Sequence, residues 1–134
     1  MRFEELKVGM KAMTSKQFTD SDVDSFASLS TDFNPLHVDE AAAQKSIFKH
    51  RVAHGILVAS LFSAVLGTKL PGEGSIYLGQ DLKFVAPVYL GDIVTATVEV
   101  IELRSDKRIV KLSTTATNQK DQVVITGVAT ILVR

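Results

Sequence analysis

The stretch that decides the fold is GILVASLFSAVLGT, residues 55–68. Its large apolar residues recur at the i, i+3, i+4, i+7 and i+8 spacing of one helical face, which predicts a helix. They are Val58, Leu61, Phe62, Val65 and Leu66. The other positions carry small or apolar residues and no charge, so this helix has no polar face. We therefore expect a sheet to wrap it or another chain to cover it.

Downstream of this helix the hydrophobic pattern changes to the alternation that is typical of strands. Four consecutive strands are predicted, at residues 76–85, 94–100, 110–116 and 123–133. Polar residues that favour turns stand at 105–106 and 118–121. Because helical and strand-like segments are segregated along the chain and the turns are short, the fold class is α+β with an antiparallel sheet.

The residues before the apolar helix predict one more strand and two short helices. A strand is predicted at residues 10–18, and Thr19 with Asp22 forms a capping-box pattern that opens a helix. That helix is expected to end near Ser30, because the residue before Pro35 avoids the helical region. Asp39 is a candidate cap for a short helix at 41–43, and residues 48–53 show no clear period.

Composition limits the class of protein. The 134 residues are 46% hydrophobic and 22% charged, which predicts one globular domain over residues 1–134. Fifteen basic residues balance fifteen acidic ones, so no nucleic acid partner is expected. The chain contains no Cys, which excludes disulfides and thiolate zinc sites, and three scattered His give no metal-ligand spacing.

The sequence predicts neither a membrane segment nor a secretory signal. The most apolar run, residues 56–66, is about half of the ~20 residues that a membrane-spanning helix requires. Residues 1–9 contain two acids and no apolar run, unlike a signal peptide. We expect no membrane partner and a cytoplasmic location.

Asp32 and His37 are the first candidates for chemistry. Pro35 prevents a regular helix from running through both residues. A turn is the alternative, and it can bring the carboxylate and the imidazole together. Such a pair can hold one water between two proton-transferring groups. The alternative is that Asp32 and Asn34 make only local turn hydrogen bonds and that His37 lies on the surface.

A second candidate is the start of the apolar helix at His54-Gly55. No Ser, Thr, Asp or Asn precedes it as a cap, so its first N–H groups are available to a developing oxyanion. The alternative is that water or a loop carbonyl satisfies these groups and that His54 is structural. Ser63 can either donate to a ligand or bond the carbonyl four residues earlier.

Longer motifs give the chain a specific resemblance. Residues 30–39, STDFNPLHVD, are similar to the hydratase motif of the MaoC-like hydratases, which belong to the hot-dog fold superfamily. His54-Gly55 matches the His-Gly pair that opens the family's central helix. Residues 70–72, 74–80 and 84–92 continue the similarity, so it covers nearly the whole chain. Among MaoC-like proteins, the sequence most resembles the (R)-specific enoyl-CoA hydratases.

The resemblance implies a long central helix wrapped by a curved antiparallel sheet. It implies an acyl-CoA substrate, no separate cofactor and no metal, and a homodimer with the site at the interface. Carried over to this sequence, Asp32 and His37 become the acid/base pair, the Gly55 N–H binds the thioester oxygen, and Asn34 and Ser63 support the site.

The implied reaction is (R)-specific hydration of a trans-2-enoyl-CoA, which can supply polyhydroxyalkanoate synthesis. A hot-dog thioesterase and an acyl-CoA-binding module without chemistry are the alternatives, since one fold hosts several functions. Leu57, Leu61 and Leu66 are candidates for the floor of the acyl pocket. Short to medium acyl groups are expected.

Overall fold

A curved five-stranded antiparallel sheet wraps one long helix in the computed structural model, which describes residues Met1–Arg134. The strands are β1 (Lys11–Gln17), β2 (Ser75–Phe84), β3 (Ile93–Arg104), β4 (Ile109–Thr117) and β5 (Val123–Val133). Their order across the sheet is β1-β3-β4-β5-β2. The helices are α1 (Asp20–Ser30), α2 (Pro35–Val38), α3 (Glu40–Gln44) and α4 (Gly55–Thr68). The predicted α+β hot-dog architecture is therefore confirmed.

Helix α4 forms the centre of the hydrophobic core. The five apolar residues that predicted it are all buried, and Phe62 and Val65 are fully inaccessible to solvent. Residues of β1, β2 and β3 lie against it. The face that carries Ile56, Ser60 and Ser63 is exposed in the single chain, so the sheet covers only part of this apolar helix.

The sheet turns one face to α4 through the alternation read from the sequence. In β3 the inward positions run from Val94 to Val100 at every second residue, and all are fully buried. In β4 the inward set includes Thr114, whose hydroxyl accepts a hydrogen bond from Gln80 Nε2 at 2.9 Å. That bond compensates for placing a polar group in the core.

Register shifts interrupt three strand pairs, and they bend the sheet. The extra residues are Leu78 in β2, Ile101 in β3 and Val124 in β5, which faces Ala116 and Thr117 of β4. An extra residue on one strand of an antiparallel pair kinks that strand and increases its twist. These shifts allow the sheet to curve around α4.

The helix caps that the sequence predicted are present at the starts of α1 and α3. The capping box at the start of α1 is present, with Asp22 N donating to Thr19 Oγ1 at 3.2 Å. Asp39 Oδ1 accepts from Ala42 N, which confirms the predicted cap of α3.

None of the helices has the length and hydropathy that crossing a membrane would require.

Phe62→Ala tests the central place of α4. Removing a fully buried aromatic ring leaves a cavity, and such substitutions cost about 3–5 kcal/mol of unfolding free energy. Urea unfolding followed by circular dichroism at one fixed protein concentration measures this loss. Ser60→Ala, on the exposed face of the same helix, is the control and should change stability by less than about 0.5 kcal/mol. Equal small effects of both substitutions would contradict the burial of α4.

Candidate active site

The loop that carries Asp32 is held by hydrogen bonds between neighbouring residues. Asn34 N donates to Asp32 Oδ1 at 3.1 Å, which fixes the direction of the carboxylate. Asn34 Oδ1 in turn accepts from Leu36 N at 3.1 Å and caps α2. Both Asx side chains thus make the local hydrogen bonds of the alternative interpretation while belonging to the candidate site.

Pro35 has a different effect from the one expected. The sequence predicted a turn between Asp32 and His37, whereas Pro35 is the first residue of the short helix α2. A proline at this position costs no hydrogen bond, because the first N–H groups of a helix have no partner within the helix. His37 therefore projects from a helical turn and is oriented by it.

His37 is partly buried rather than free on the surface. Its Nδ1 lies 2.7 Å from the carbonyl oxygen of Val52, so Nδ1 carries the proton and donates it to that oxygen. Nε2 is then the atom left to exchange a proton with a ligand. No sequence pattern indicated a role for Val52, because the contact joins two segments that share no pattern.

The buried side chain of His54 contacts both Asp32 and His37. It is only 2% exposed, and its Nε2 donates to the Asp32 carbonyl oxygen at 3.0 Å. Its ring stacks on that of His37 with centroids 4.0 Å apart, and the edge of Phe26 contacts its other side. The structural interpretation of His54 agrees with this position, but the stacking on His37 was not foreseen.

The three side chains converge on one small volume. One carboxylate or imidazole atom from each of Asp32, His37 and His54 lies within 4.8 Å of the others. A water molecule hydrogen-bonded to two groups at about 2.8 Å from each can span such a separation.

An apolar cavity of about 380 Å³ opens beside these groups. His37 and Gly55 line it together with Val58, Phe84 and Ile125. Asp32 does not line the cavity and is exposed to solvent at its side in the single chain. The volume is near the lower end of the range for small-molecule sites.

The backbone at the start of α4 lines the same cavity at Gly55. His54 makes no side-chain cap, so the first N–H groups of the helix, including that of Gly55, lack a side-chain acceptor. The positive end of the helix dipole adds to their attraction for a negative oxygen. A Cβ at Gly55 would lie 2.6 Å from the ring of Phe84, so only glycine fits without a shift.

Several other predicted residues lie away from this cavity. Ser63 is exposed on α4 and neither lines the cavity nor bonds the carbonyl four residues earlier; Ser60 instead donates to Leu57 O. None of Leu57, Leu61 and Leu66 forms the floor of the cavity in the single chain. Val58 and Ile125 line it instead, whereas Leu61 and Leu66 are buried in the core further along α4 and Leu57 packs against that core.

Glu40, His50 and Arg51 form a polar cluster next to the candidate site. His50 and the Arg51 N–H both hydrogen-bond the Glu40 carboxylate, at 2.9 and 3.2 Å. The His50 side-chain bond is the larger cause that holds the pKa of the exposed Glu40 carboxyl below its ordinary value. The Arg51 side chain reaches from this cluster to the backbone of His37.

Comparison with known proteins agrees with this geometry. The family model described as "MaoC like domain" matches residues 3–123. The chain is 51% identical over 131 residues to the (R)-specific enoyl-CoA hydratase of Aeromonas caviae, covering 98% of each protein. It is 52% identical over 131 residues to the (R)-specific enoyl-CoA hydratase of Rhodospirillum rubrum, covering 98% of this chain and 90% of that protein.

The fold is also closely similar to that of a solved structure. The (R)-hydratase from A. caviae, which is described as involved in PHA biosynthesis, superimposes with a TM-score of 0.95 at 50% identity. The match covers 98% of this chain and 99% of that one. With a family model over residues 3–123 and full-length relatives at about half identity, this chain belongs to the MaoC-like domain family.

Proposed function

We propose that this protein is an (R)-specific enoyl-CoA hydratase, which adds water to a trans-2-enoyl-CoA to form the (R)-3-hydroxyacyl-CoA. The observation that carries the proposal is the grouping of Asp32 and His37 beside an apolar cavity that is also lined by Gly55 at the start of α4. The similarity to two hydratases of this specificity supports the same reaction. The substrate already contains coenzyme A, so no other cofactor enters the proposal.

The hydration needs a base for water and an acid for the substrate. Water held between Asp32 and His37 attacks C3 and gives one proton to the Asp32 carboxylate. In this assignment His37 enters the step protonated on both ring nitrogens, and Nε2 delivers its proton to C2 while Nδ1 keeps its bond to Val52 O. The reverse assignment of acid and base uses the same geometry, because the two groups are neighbours and share their proton equilibria. Proton exchange between the pair and solvent then restores both groups.

The negative charge that develops on the thioester oxygen needs a donor. The Gly55 N–H and the positive end of the α4 dipole fill that role in the proposal, as backbone donors do in other oxyanion sites. The acyl chain would occupy the 380 Å³ cavity, whose size favours short to medium chains. Asn34 supports the site by holding the Asp32 carboxylate and capping α2.

Supply of (R)-3-hydroxyacyl-CoA to polyhydroxyalkanoate synthesis is the metabolic role we propose. The support is the similarity to the A. caviae hydratase that is described as involved in PHA biosynthesis. We place the enzyme in the cytoplasm as part of the same proposal.

We also propose a homodimer. Strand β2 is an edge of the sheet, and it carries exposed apolar side chains at Tyr77, Leu78 and Phe84. An unpaired edge with such side chains is suited to pairing with a second chain. Asp32 is exposed in one chain, although proton transfer benefits from exclusion of bulk water. A partner beside β2 would shield this end of the site, and Ser63 would then have a supporting position at the covered face of α4.

The first test is hydration of trans-2-butenoyl-CoA, followed by the loss of absorbance of the conjugated thioester. The wild-type protein should consume it and yield the (R)-3-hydroxy product. Asp32→Asn and His37→Gln should each lower kcat by about 10²–10⁴-fold, the usual contribution of a positioned acid or base.

Asp106→Asn is the matched control, since Asp106 is paired with Arg104 in a remote turn. It should keep wild-type activity. Release of free thiol instead of hydration would identify a thioesterase, and tight binding without turnover would identify an acyl-CoA-binding module. A folded Asp32→Asn variant with full hydratase activity would remove Asp32 from the mechanism.

Gly55→Ala tests the close approach at the start of α4. The new methyl group pushes the Phe84 ring from its place in the cavity wall, so kcat/KM should fall by about tenfold to a hundredfold, as displacements of about 1 Å do in active sites. Gly67→Ala is the control on the same helix, because a Cβ there meets nothing within 4 Å. If both variants keep full activity, Gly55 is not needed at the site.

Leu78→Glu tests the dimer. A charge on the free edge of β2 should convert the dimer to a monomer in sedimentation equilibrium and reduce hydratase activity with it. Ile47→Glu places the same charge on another exposed residue, 86% accessible and outside β2, and should leave the assembly intact. A wild-type monomer at micromolar concentration, or an active Leu78→Glu monomer, would contradict the proposed assembly.

A further inference from the structure

Arg51 is a largely buried arginine that contacts the candidate acid/base pair only through the backbone. Its side chain is 13% exposed. Nε donates to the His37 carbonyl oxygen at 2.6 Å, and Nη2 donates to Asp24 Oδ1 at 2.7 Å. Neither the acid/base chemistry nor the oxyanion site uses this residue, and it does not line the apolar cavity.

The His37 carbonyl needs such a donor because of its place in α2. In a helix of four residues the carbonyl groups lack the partners that a longer helix supplies. Pro35 O accepts from the cap residue Asp39, and Leu36 O accepts from Val52 N outside the helix, which leaves His37 O to Arg51. A cationic donor at the carboxyl end of a helix both satisfies a carbonyl and interacts favourably with the negative end of the helix dipole. Arg51 therefore stabilises the turn that carries His37.

The residues at 51 and 52 together hold His37 from two directions. The Val52 carbonyl accepts from the His37 imidazole, while the Arg51 guanidinium donates to the His37 backbone. The Arg51 N–H also donates to Glu40, the first residue of α3. Arg51 thus connects α1, α2 and α3, which are the elements that surround the acid/base pair.

Resting on the proposed hydratase function, we propose that Arg51 is a positioning residue for catalysis. The planar guanidinium spans His37 O and Asp24 Oδ1 with two nitrogens in a fixed geometry, which a lysine ammonium cannot do. By fixing the backbone of His37 it holds Nε2 at the distance that proton transfer requires. Because it contacts no surface of the cavity, its loss should act on turnover and leave substrate binding in place.

Arg51→Ala should lower kcat for trans-2-butenoyl-CoA by about tenfold to a hundredfold, the effect of misplacing a reacting group by about 1 Å. KM should stay within about twofold. Guanidinium chloride, added well below denaturing concentrations, should restore part of kcat by filling the vacated place. Arg51→Lys should lie between wild type and Arg51→Ala.

Arg108 offers a matched control elsewhere in the chain. Its Nε donates to the Val133 carbonyl at 3.1 Å and its Nη1 to Glu4 at 3.0 Å, so it has the same pair of contacts with no connection to His37. Arg108→Ala should keep wild-type kcat and show no response to guanidinium. This comparison separates a general loss of stability from misplacement of His37.

The outcomes are distinct. A folded Arg51→Ala variant with kcat within twofold of wild type would overturn the inference, as would a rise in KM at unchanged kcat, which would assign Arg51 to substrate binding. If Arg51→Ala does not fold, Arg51→Lys decides: lowered kcat at constant KM supports the inference and unchanged kcat overturns it. A wild-type protein without hydratase activity would instead remove the proposed function.

Discussion

The burial of α4 inside the curved sheet is the constraint on which the rest of the structure depends. A helix with no charged residue and with five large apolar residues on one face cannot remain in water, so the sheet must bend around it. The strand register shifts supply that bend. Once α4 is fixed, its amino-terminal N–H groups are fixed with it at one end of the sheet, beside the cavity lined by Gly55 and Phe84.

The segment between α1 and α4 adds the candidate acid/base residues Asp32 and His37 beside this end of the sheet. Short-range hydrogen bonds set the shape of the Asp32 loop, and long-range ones tie that loop to the residues just before α4. The imidazole of His54 fills the space behind both candidate groups, stacked on His37. Polar contacts of this kind cost conformational entropy and add little to overall stability, so their main consequence is the geometry that they impose.

The sequence predicted most of the architecture, because periodic burial is a local property. The bounds of α4 and β5 agree with the sequence interpretation to the residue, and those of the other strands differ by a few residues. The grouping of Asp32 with His37 was predictable from the family resemblance, whereas Pro35 and the spacing left it open, and the prediction of a turn missed that Pro35 opens α2.

The contacts that support the candidate site could not be predicted from the sequence. The Val52 carbonyl, the Phe84 ring over Gly55 and the reach of Arg51 to His37 each join residues distant in the chain that share no pattern. Such contacts depend on how elements pack in space, and no local signal encodes them. The position of Leu61 and Leu66 in the core, further along α4 than the cavity, has the same origin.

If Asp32 and His37 catalyse the hydration as proposed, they act on the substrate from the same side. Hydration of trans-2-butenoyl-CoA in D₂O tests it, with proton NMR of the product giving the relative configuration at C2 and C3. Both groups project from the one segment beside the cavity, within 4.8 Å of each other. We predict that the deuterium at C2 and the hydroxyl at C3 are added to the same face. Addition to opposite faces, or a mixture of both configurations at C2, would contradict it.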